Sequence, residues 1–346
     1  MEQHSRYMQR CLQLAALGLG HVAPNPLVGA VLVHGGRIIG EGYHERFGGP
    51  HAEVNCIRSV RLEDVSLIPG ATLYVSLEPC AHFGKTPPCT DLILHSGIPH
   101  VVIGSMDPFP EVNGRGVARL REAGVDVITG VEQEACDWLN RRFITFHTRH
   151  RPYVILKWAR SANGKIASGN GQRLMITNAL SDRLVHKWRS EEAAIMVGTN
   201  TALADDPALT TRHWYGRDPL RLVVDMDLRL PSHLKLFDRK HPTIVFNALR
   251  QEEQENLRLY KVSRDAGRVD PVLDALRILQ MQSVIVEGGA ILLRSFMQEG
   301  YWDEIRVITN TDLHVEDGLS APAIPGYGRK EEMRLQNDLV TVYYPS

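Results

Sequence analysis

Three residues in the first third of the chain could hold a metal ion together: His51, Cys80 and Cys89. One imidazole and two thiolates suit zinc and leave a fourth position for water, as a catalytic site requires. A purely structural zinc would want a fourth protein ligand, for which His82 is the candidate. Glu53 stands one residue past the histidine's neighbour, close enough to carry protons for that water without ligating the metal. A second chemical signal lies far downstream, in Val286-Glu-Gly-Gly-Ala290. There the backbone N–H groups of Gly288 and Gly289 could approach a pyrophosphate at the start of a helix. No G-x-G-x-x-G run is present, so a Rossmann-type dinucleotide site is not supported.

The elements that must position these residues follow from periodicity and punctuation. Apolar residues Tyr7, Cys11, Leu14 and Ala15 recur at helical spacing. Residues 28–33 read as a buried strand, His34-Gly-Gly36 as a turn, and 37–43 as its partner. A helix over 51–60 puts His51 and Glu53 in its first turn, where unpaired N–H groups and the helix dipole favour negative charge. Residues 71–77 form a strand from which Glu78-Pro79-Cys80 turns out, and a helix runs over 89–95. Strands at 100–104 and 125–128 flank a helix at 116–123, and a helix follows over 132–148. The polar stretch 149–151 is the expected linker, dividing the chain into domains 1–148 and 152–346. Beyond it, strands are expected at 153–157, 194–197, 220–225, 243–246, 283–287 and 304–309. Helices are expected at 181–190, 252–259, 271–279 and 290–298. Both halves therefore read as α/β layers.

Composition narrows the function classes. A chain of 346 residues exceeds what one core usually organises, which agrees with two domains. Net charge is −1, so there is no global footprint of a nucleic-acid binder. Five cysteines, an odd number, argue against a disulfide framework, and Cys11, Cys56 and Cys136 read as small core residues. No signal peptide or membrane-length apolar run is legible, which leads us to expect a cytoplasmic protein without a membrane partner.

The order His-x-Glu, Pro-Cys, Cys is that of zinc-dependent nucleobase deaminases, but eight residues rather than two separate the cysteines here. With that spacing, Leu77-Glu-Pro-Cys-Ala-His-Phe-Gly-Lys-Thr-Pro-Pro-Cys89 resembles the bifunctional riboflavin-biosynthesis deaminase/reductase family. Pro24-Asn-Pro-Leu-Val-Gly29, Pro50-His-Ala-Glu53, Asp107-Pro-Phe-Pro and Gly114-Arg-Gly116 carry the same resemblance. So do Leu156-Lys-Trp-Ala-Arg-Ser-Ala-Asn-Gly-Lys-Ile-Ala167, Leu203-Ala-Asp-Asp-Pro-Ala-Leu-Thr-Thr-Arg212 and Val286-Glu-Gly-Gly289. The resemblance implies a cytidine-deaminase-like α/β/α domain followed by a dihydrofolate-reductase-like α/β domain. It also implies a phosphorylated ribosylaminopyrimidine substrate and two cofactors, zinc and NADPH.

By the same matching, Glu53 is the proton carrier, and Asn25, His44 and Lys85 contact the pyrimidine or its phosphate. Lys157, Asp205 and Glu287 are expected near the ribose, with Arg189, Leu209 and Arg212 as further substrate contacts. Arg160, Met175, Thr201, Asp205, Gly288, Gly289 and Ala290 are expected around the nicotinamide cofactor. Two features depart from the family pattern: Asn163 replaces the usual Asp of a Ser-x-Asp-Gly turn, and the segment after Thr309 lacks the usual proline and glycine-rich loop. Both Asn and Asp suit that turn, so little effect is expected there, and the segment after Thr309 motivates one rival, a working deaminase joined to an impaired reductase. The others are a nucleic-acid base deaminase or RNA-binding module and a zinc-stabilised scaffold. The expected partner is a small molecule, not a nucleic acid; a homo-oligomer is left open, with no face singled out.

Overall fold

The structure, a computed structural model, describes residues 2–81, 87–109, 112–169, 174–264 and 269–346. Two compact units meet in sequence at His150 and Arg151. Arg151 belongs to the second because both oxygens of Asp303 accept from its guanidinium, at 2.6 and 2.9 Å.

The first unit contains α1 (Glu2–Ala16), β1 (Gly29–His34), β2 (Arg37–Tyr43), α2 (Ala52–Arg58), β3 (Thr72–Leu77) and α3 (Cys89–His95), followed by β4 (His100–Ser105), α4 (Arg115–Glu122), β5 (Asp126–Thr129), α5 (Gln133–Leu139) and α6 (Arg141–Arg149). Its sheet runs β2-β1-β3-β4-β5. β1 is antiparallel to both neighbours, whereas β3, β4 and β5 are parallel. Alternation along β1 sorts its side chains between two cores. Val31 and Val33 pack with Tyr7, Met8, Cys11 and Leu14 of α1, while Ala30 and Leu32 pack with Ala52, Cys56, Ile93 and Leu120 on the other face. The three non-ligand cysteines are all buried, as small apolar residues.

Close packing fixes where α2 begins. A Cβ on Gly42 would lie 2.3 Å from the Cys56 backbone nitrogen, so the helix rests directly on β2. His51 is the residue before the helix rather than part of its first turn, and Glu53 lies in that turn. The helix expected over 132–148 is broken at Asn140. Its side chain accepts from Leu27 N and donates to Leu27 O, both at 2.8 Å, serving the loop that carries Asn25.

The second unit contains β6 (Tyr153–Arg160), β7 (Lys165–Ser168), α7 (Ala179–Glu191), β8 (Ala194–Gly198), α8 (Thr199–Asp205), β9 (Leu220–Val224), β10 (Thr243–Asn247), β11 (Glu252–Gln254) and β12 (Leu257–Lys261). It continues with α9 (Asp270–Ile278), β13 (Ser283–Glu287), α10 (Ala290–Gln298), β14 (Glu304–Asn310), β15 (Gly318–Ser320), β16 (Arg329–Leu335) and β17 (Asp338–Tyr344). A ten-stranded sheet runs β11-β12-β10-β9-β8-β13-β6-β14-β17-β16, parallel from β12 through β14. Helices α9 and α10 cover one face and α7 the other. The helix expected over 252–259 is instead a β11–β12 hairpin. Asn256 turns it with φ +53°, and Leu257 to Lys261 pair in parallel with β10. Strands β16 and β17 extend the sheet beyond the expected elements.

Candidate functional site

In the first unit the three expected ligands converge. His51 Nδ1 lies 3.6 Å from Cys80 Sγ and 3.3 Å from Cys89 Sγ. Zn–S bonds of about 2.3 Å and a Zn–N bond of about 2.0–2.1 Å at a tetrahedral angle require N···S separations of about 3.5 Å. The donor set therefore fits zinc in both chemistry and spacing. Three chain segments supply it: the residue before α2, the turn after β3 and the first residue of α3. Hydrogen bonding to Cys89, with help from His51, holds the Cys80 thiol well below the ordinary thiol range, as a metal-binding thiolate needs.

Glu53 is 3% exposed. Burial, followed by the neighbouring Cys80, raises its carboxyl above the ordinary value, which suits a group that must hold a proton between transfers. His44, also buried, is a structural bridge: one ring nitrogen meets Pro50 O at 2.9 Å and the other Asn25 Nδ2 at 3.0 Å. Burial lowers its pKa, so a neutral ring donates to Pro50 O and accepts from Asn25. That bond orients the Asn25 amide, and the His44 ring stands edge-on to that of His51 at 5.6 Å. Lys85 and the alternative ligand His82 lie outside the described residues.

In the second unit, the carboxyl ends of the parallel strands gather the expected residues, the usual place for a ligand in such a sheet. Glu287 ends β13 and pairs in register with Lys157 of β6. Arg189 donates Nε and Nη2 to the two Glu287 oxygens at 2.7 Å each, and Lys157 Nζ stands 3.6 Å away. Burial alone would raise the Glu287 pKa; Arg189 and Lys157 outweigh it and hold the carboxyl at about 2. Burial lowers the pKa of Lys157 despite that carboxylate.

Arg189 Nη1 donates to Thr210 O, and Arg212 Nη1 to Thr210 Oγ1, so both guanidiniums border one loop. Gly288 and Gly289 have φ of +88° and +76° and precede α10, with Ala290 as its first residue. A Cβ on Gly289 would come within 3.1 Å of Thr201 Oγ1, which makes this turn a glycine-lined cradle beside α8. Such a bare backbone turn at a helix start fits a cofactor pyrophosphate.

The remaining expected residues have different surroundings. Leu209 is 2% exposed with its side chain in the core beside Val185 and Trp188, so only its backbone, at φ +53°, is available to a ligand. Asp205 is the exposed last residue of α8, and Met175 is exposed. Arg160 donates to Thr309 Oγ1 across β6 and β14.

One residue escaped sequence reasoning. His186 is 3% exposed and accepts from Arg212 N at 3.0 Å. Burial, then Arg189 and Arg212, push its pKa down to about 4. Its spacing from Asp182 and Arg189 on one face of α7 was the available signal.

The two departures from the family pattern touch each other. Asn163 Nδ2 donates to Val315 O at 2.8 Å, and its Oδ1 accepts from Val315 N at 3.2 Å and Ser161 Oγ at 2.7 Å.

Comparison with known proteins agrees with both halves. Residues 1–105 match the cytidine and deoxycytidylate deaminase zinc-binding region, and residues 152–311 match the RibD C-terminal domain. Riboflavin biosynthesis protein RibD of Aquifex aeolicus is 42% identical over 92% of this chain and 90% of its own length. The chain belongs to the RibD family. RibD of Escherichia coli is 36% identical over 94% of this chain and 92% of its own. The deaminase/reductase crystal structure from Thermotoga maritima superposes with a TM-score of 0.90 at 38% identity, covering 100% of this chain and 99% of that one. The fold is a cytidine-deaminase-like domain joined to a dihydrofolate-reductase-like RibD C-terminal domain. Like its RibD relatives, the chain is a bifunctional enzyme of riboflavin biosynthesis, a deaminase using zinc and a reductase using NADPH. Among the described residues, no helix is long and apolar enough to cross a membrane.

Proposed function

We propose that the first unit deaminates 2,5-diamino-6-ribosylamino-4(3H)-pyrimidinone 5′-phosphate. The second unit then reduces the ribosyl group of the product to ribityl, giving 5-amino-6-ribitylamino-uracil 5′-phosphate. The observation that carries this reading is the His51–Cys80–Cys89 spacing with Glu53 buried beside it.

His51, Cys80 and Cys89 would hold the zinc, which when bound would supply the Lewis acidity that makes water a competent nucleophile near neutral pH. Glu53 would take one proton from the attacking water and pass it to a ring nitrogen, then take the remaining hydroxyl proton and deliver it to the departing amine. Asn25 gives its Nδ2 to His44, so its amide oxygen is the atom that meets a donor on the pyrimidine edge. Lys85 is assigned to substrate phosphate as a point charge.

In the second unit, NADPH supplies the hydride for the opened ribose. Gly288, Gly289 and Ala290 would hold its pyrophosphate, with Thr201, Asp205, Arg160 and Met175 as further cofactor contacts. Lys157 and Glu287 orient the ribose. Because Arg189 is engaged by Glu287, Arg212 is the residue we assign to the substrate phosphate. The cytoplasm is the expected compartment, and a homo-oligomer is the common state of such enzymes, which sedimentation tests.

The rival with an impaired reductase draws on the atypical segment after Thr309. Mass spectrometry of products from the diaminopyrimidine substrate separates the two. A deaminated product without NADPH that gains two hydrogens with it supports both halves. Deamination without any reduction supports the rival, and no reaction with zinc bound overturns both.

A further inference from the structure

Three motifs of the first unit take no part in the chemistry above: the Glu78-Pro79 that precedes Cys80, the segment beginning Asp107-Pro-Phe, and Gly114-Arg-Gly116. In the fold they converge on one carboxylate. Glu78 is 4% exposed and leaves β3 two residues before Cys80. Its Oε1 accepts from Gly116 N at 2.9 Å and Val117 N at 3.2 Å. Its Oε2 accepts from Gly114 N at 2.9 Å and, more weakly, from Asp107 N at 3.4 Å. Both oxygens are thus filled by backbone donors from the segment after β4 and the first turn of α4.

The neighbouring peptide is held as tightly. A Cβ on Gly116 would lie 2.1 Å from Pro79 O, so α4 rests on the backbone between Glu78 and Cys80. From the other side, Thr90 N donates to Cys80 O at 3.2 Å and Cys89 N to Cys80 Sγ at 3.3 Å. Arg119 of α4 pairs with Asp91 of α3, the helix that begins at Cys89. Cys80 therefore sits on a short turn clamped between the starts of two helices.

We propose that Glu78 is a positioning residue for the zinc ligand Cys80. It anchors the thiolate-bearing turn to α4 so that His51, Cys80 and Cys89 keep tetrahedral spacing. This rests on the reading of His51, Cys80 and Cys89 as the zinc ligands. A group that orients a ligand from behind typically changes metal affinity by about 10- to 100-fold when altered. A group that only caps a helix changes stability and leaves the metal's environment alone.

The test uses the full chain loaded with cobalt(II) or zinc. Glu78→Gln keeps the shape but turns an amide NH2 toward backbone N–H groups. Expected are zinc transfer to a chelator at least about tenfold easier, a shifted cobalt–thiolate absorption band and slower deamination. Reduction of pre-deaminated substrate with NADPH should be unchanged, and Glu78→Asp should recover part of the loss. An unaltered cobalt band and zinc affinity with only a lower melting temperature overturns the proposal. Should Glu78→Gln fail to fold, Gly116→Ala, which pushes α4 off Pro79, must move the same band; an unmoved band overturns the proposal equally. A Cys80→Ser control that retains wild-type zinc affinity would instead overturn the ligand assignment itself.

Discussion

Glu53 couples two properties that oppose each other in water: it must be close to the metal ligands, and it must hold a proton. Burial provides the second by raising its pKa. Replacing it with Gln preserves shape and abolishes proton transfer. Deamination should fall by about 10²- to 10⁴-fold while zinc content, measured by atomic emission, stays at one per chain. Asn163 makes a different residue-scale point. An Asp there could accept from Ser161 and Val315 N but could not donate to Val315 O, and would face it with a carboxylate oxygen. Asn163→Asp should cost about 1 kcal/mol in the second unit. It should also slow reduction without touching deamination; equal rates for the two variants would show that this clamp has no bearing on the reductase.

At the level of elements, contact between backbones decides where side chains arrive. Gly42 lets α2 lie on β2, and α2 carries Glu53 in its first turn directly after His51. Gly42→Ala must lift that helix from the sheet, so zinc affinity and the first unit's melting temperature should both drop; retention of full zinc affinity would argue against such rigid seating. In the second unit, Arg221 of β9 is fully buried. It bonds Thr243 Oγ1, Asp238 and the carbonyls of Lys235 and His241, fixing the segment that connects β9 to β10. Lysine offers a single nitrogen in place of that planar fork. Arg221→Lys should destabilise the second unit by about 3–5 kcal/mol, read by denaturant unfolding.

Across the whole molecule, each unit has its own cores, which predicts separable unfolding. Cys80→Ser or chelation should lower the first unit's calorimetric transition and leave the second, with its NADPH-dependent reduction, in place. A single merged transition would speak against independent cores. Acid should act on the second unit in two steps. His186 is held neutral down to about pH 4, while in the unfolded chain it protonates near 6.5, so stability falls as pH drops between these values. Glu287, depressed to about 2, stabilises above the ordinary glutamate range, and that contribution is lost as pH falls through about 2. His186→Asn retains an acceptor for Arg212 N and should flatten the first step alone; an unchanged profile would assign that step to another group.

His51, Cys80, Cys89 and Glu53 were legible in the chain as candidates because their chemistry depends on residue type and near-neighbour spacing, and the fold brings the three candidate ligands together. The same holds for the parallel strands, whose β-branched runs suit burial on both faces. Asn140 was not legible as a helix break: asparagine within a helical pattern is tolerated, and only the distant Leu27 peptide gives it another use. The 252–259 stretch has helical composition, but the open edge of β10 and the turn at Asn256 offer it a ladder instead. His186 stands outside every motif, and Glu78 lies within one that names no role for it. Their roles come from backbone donors that only the tertiary structure brings to them. Sequence by itself determined which atoms could do the chemistry, because that follows from residue type. Tertiary structure decided which groups hold those atoms in place, because long-range hydrogen bonds leave no periodic trace in the chain.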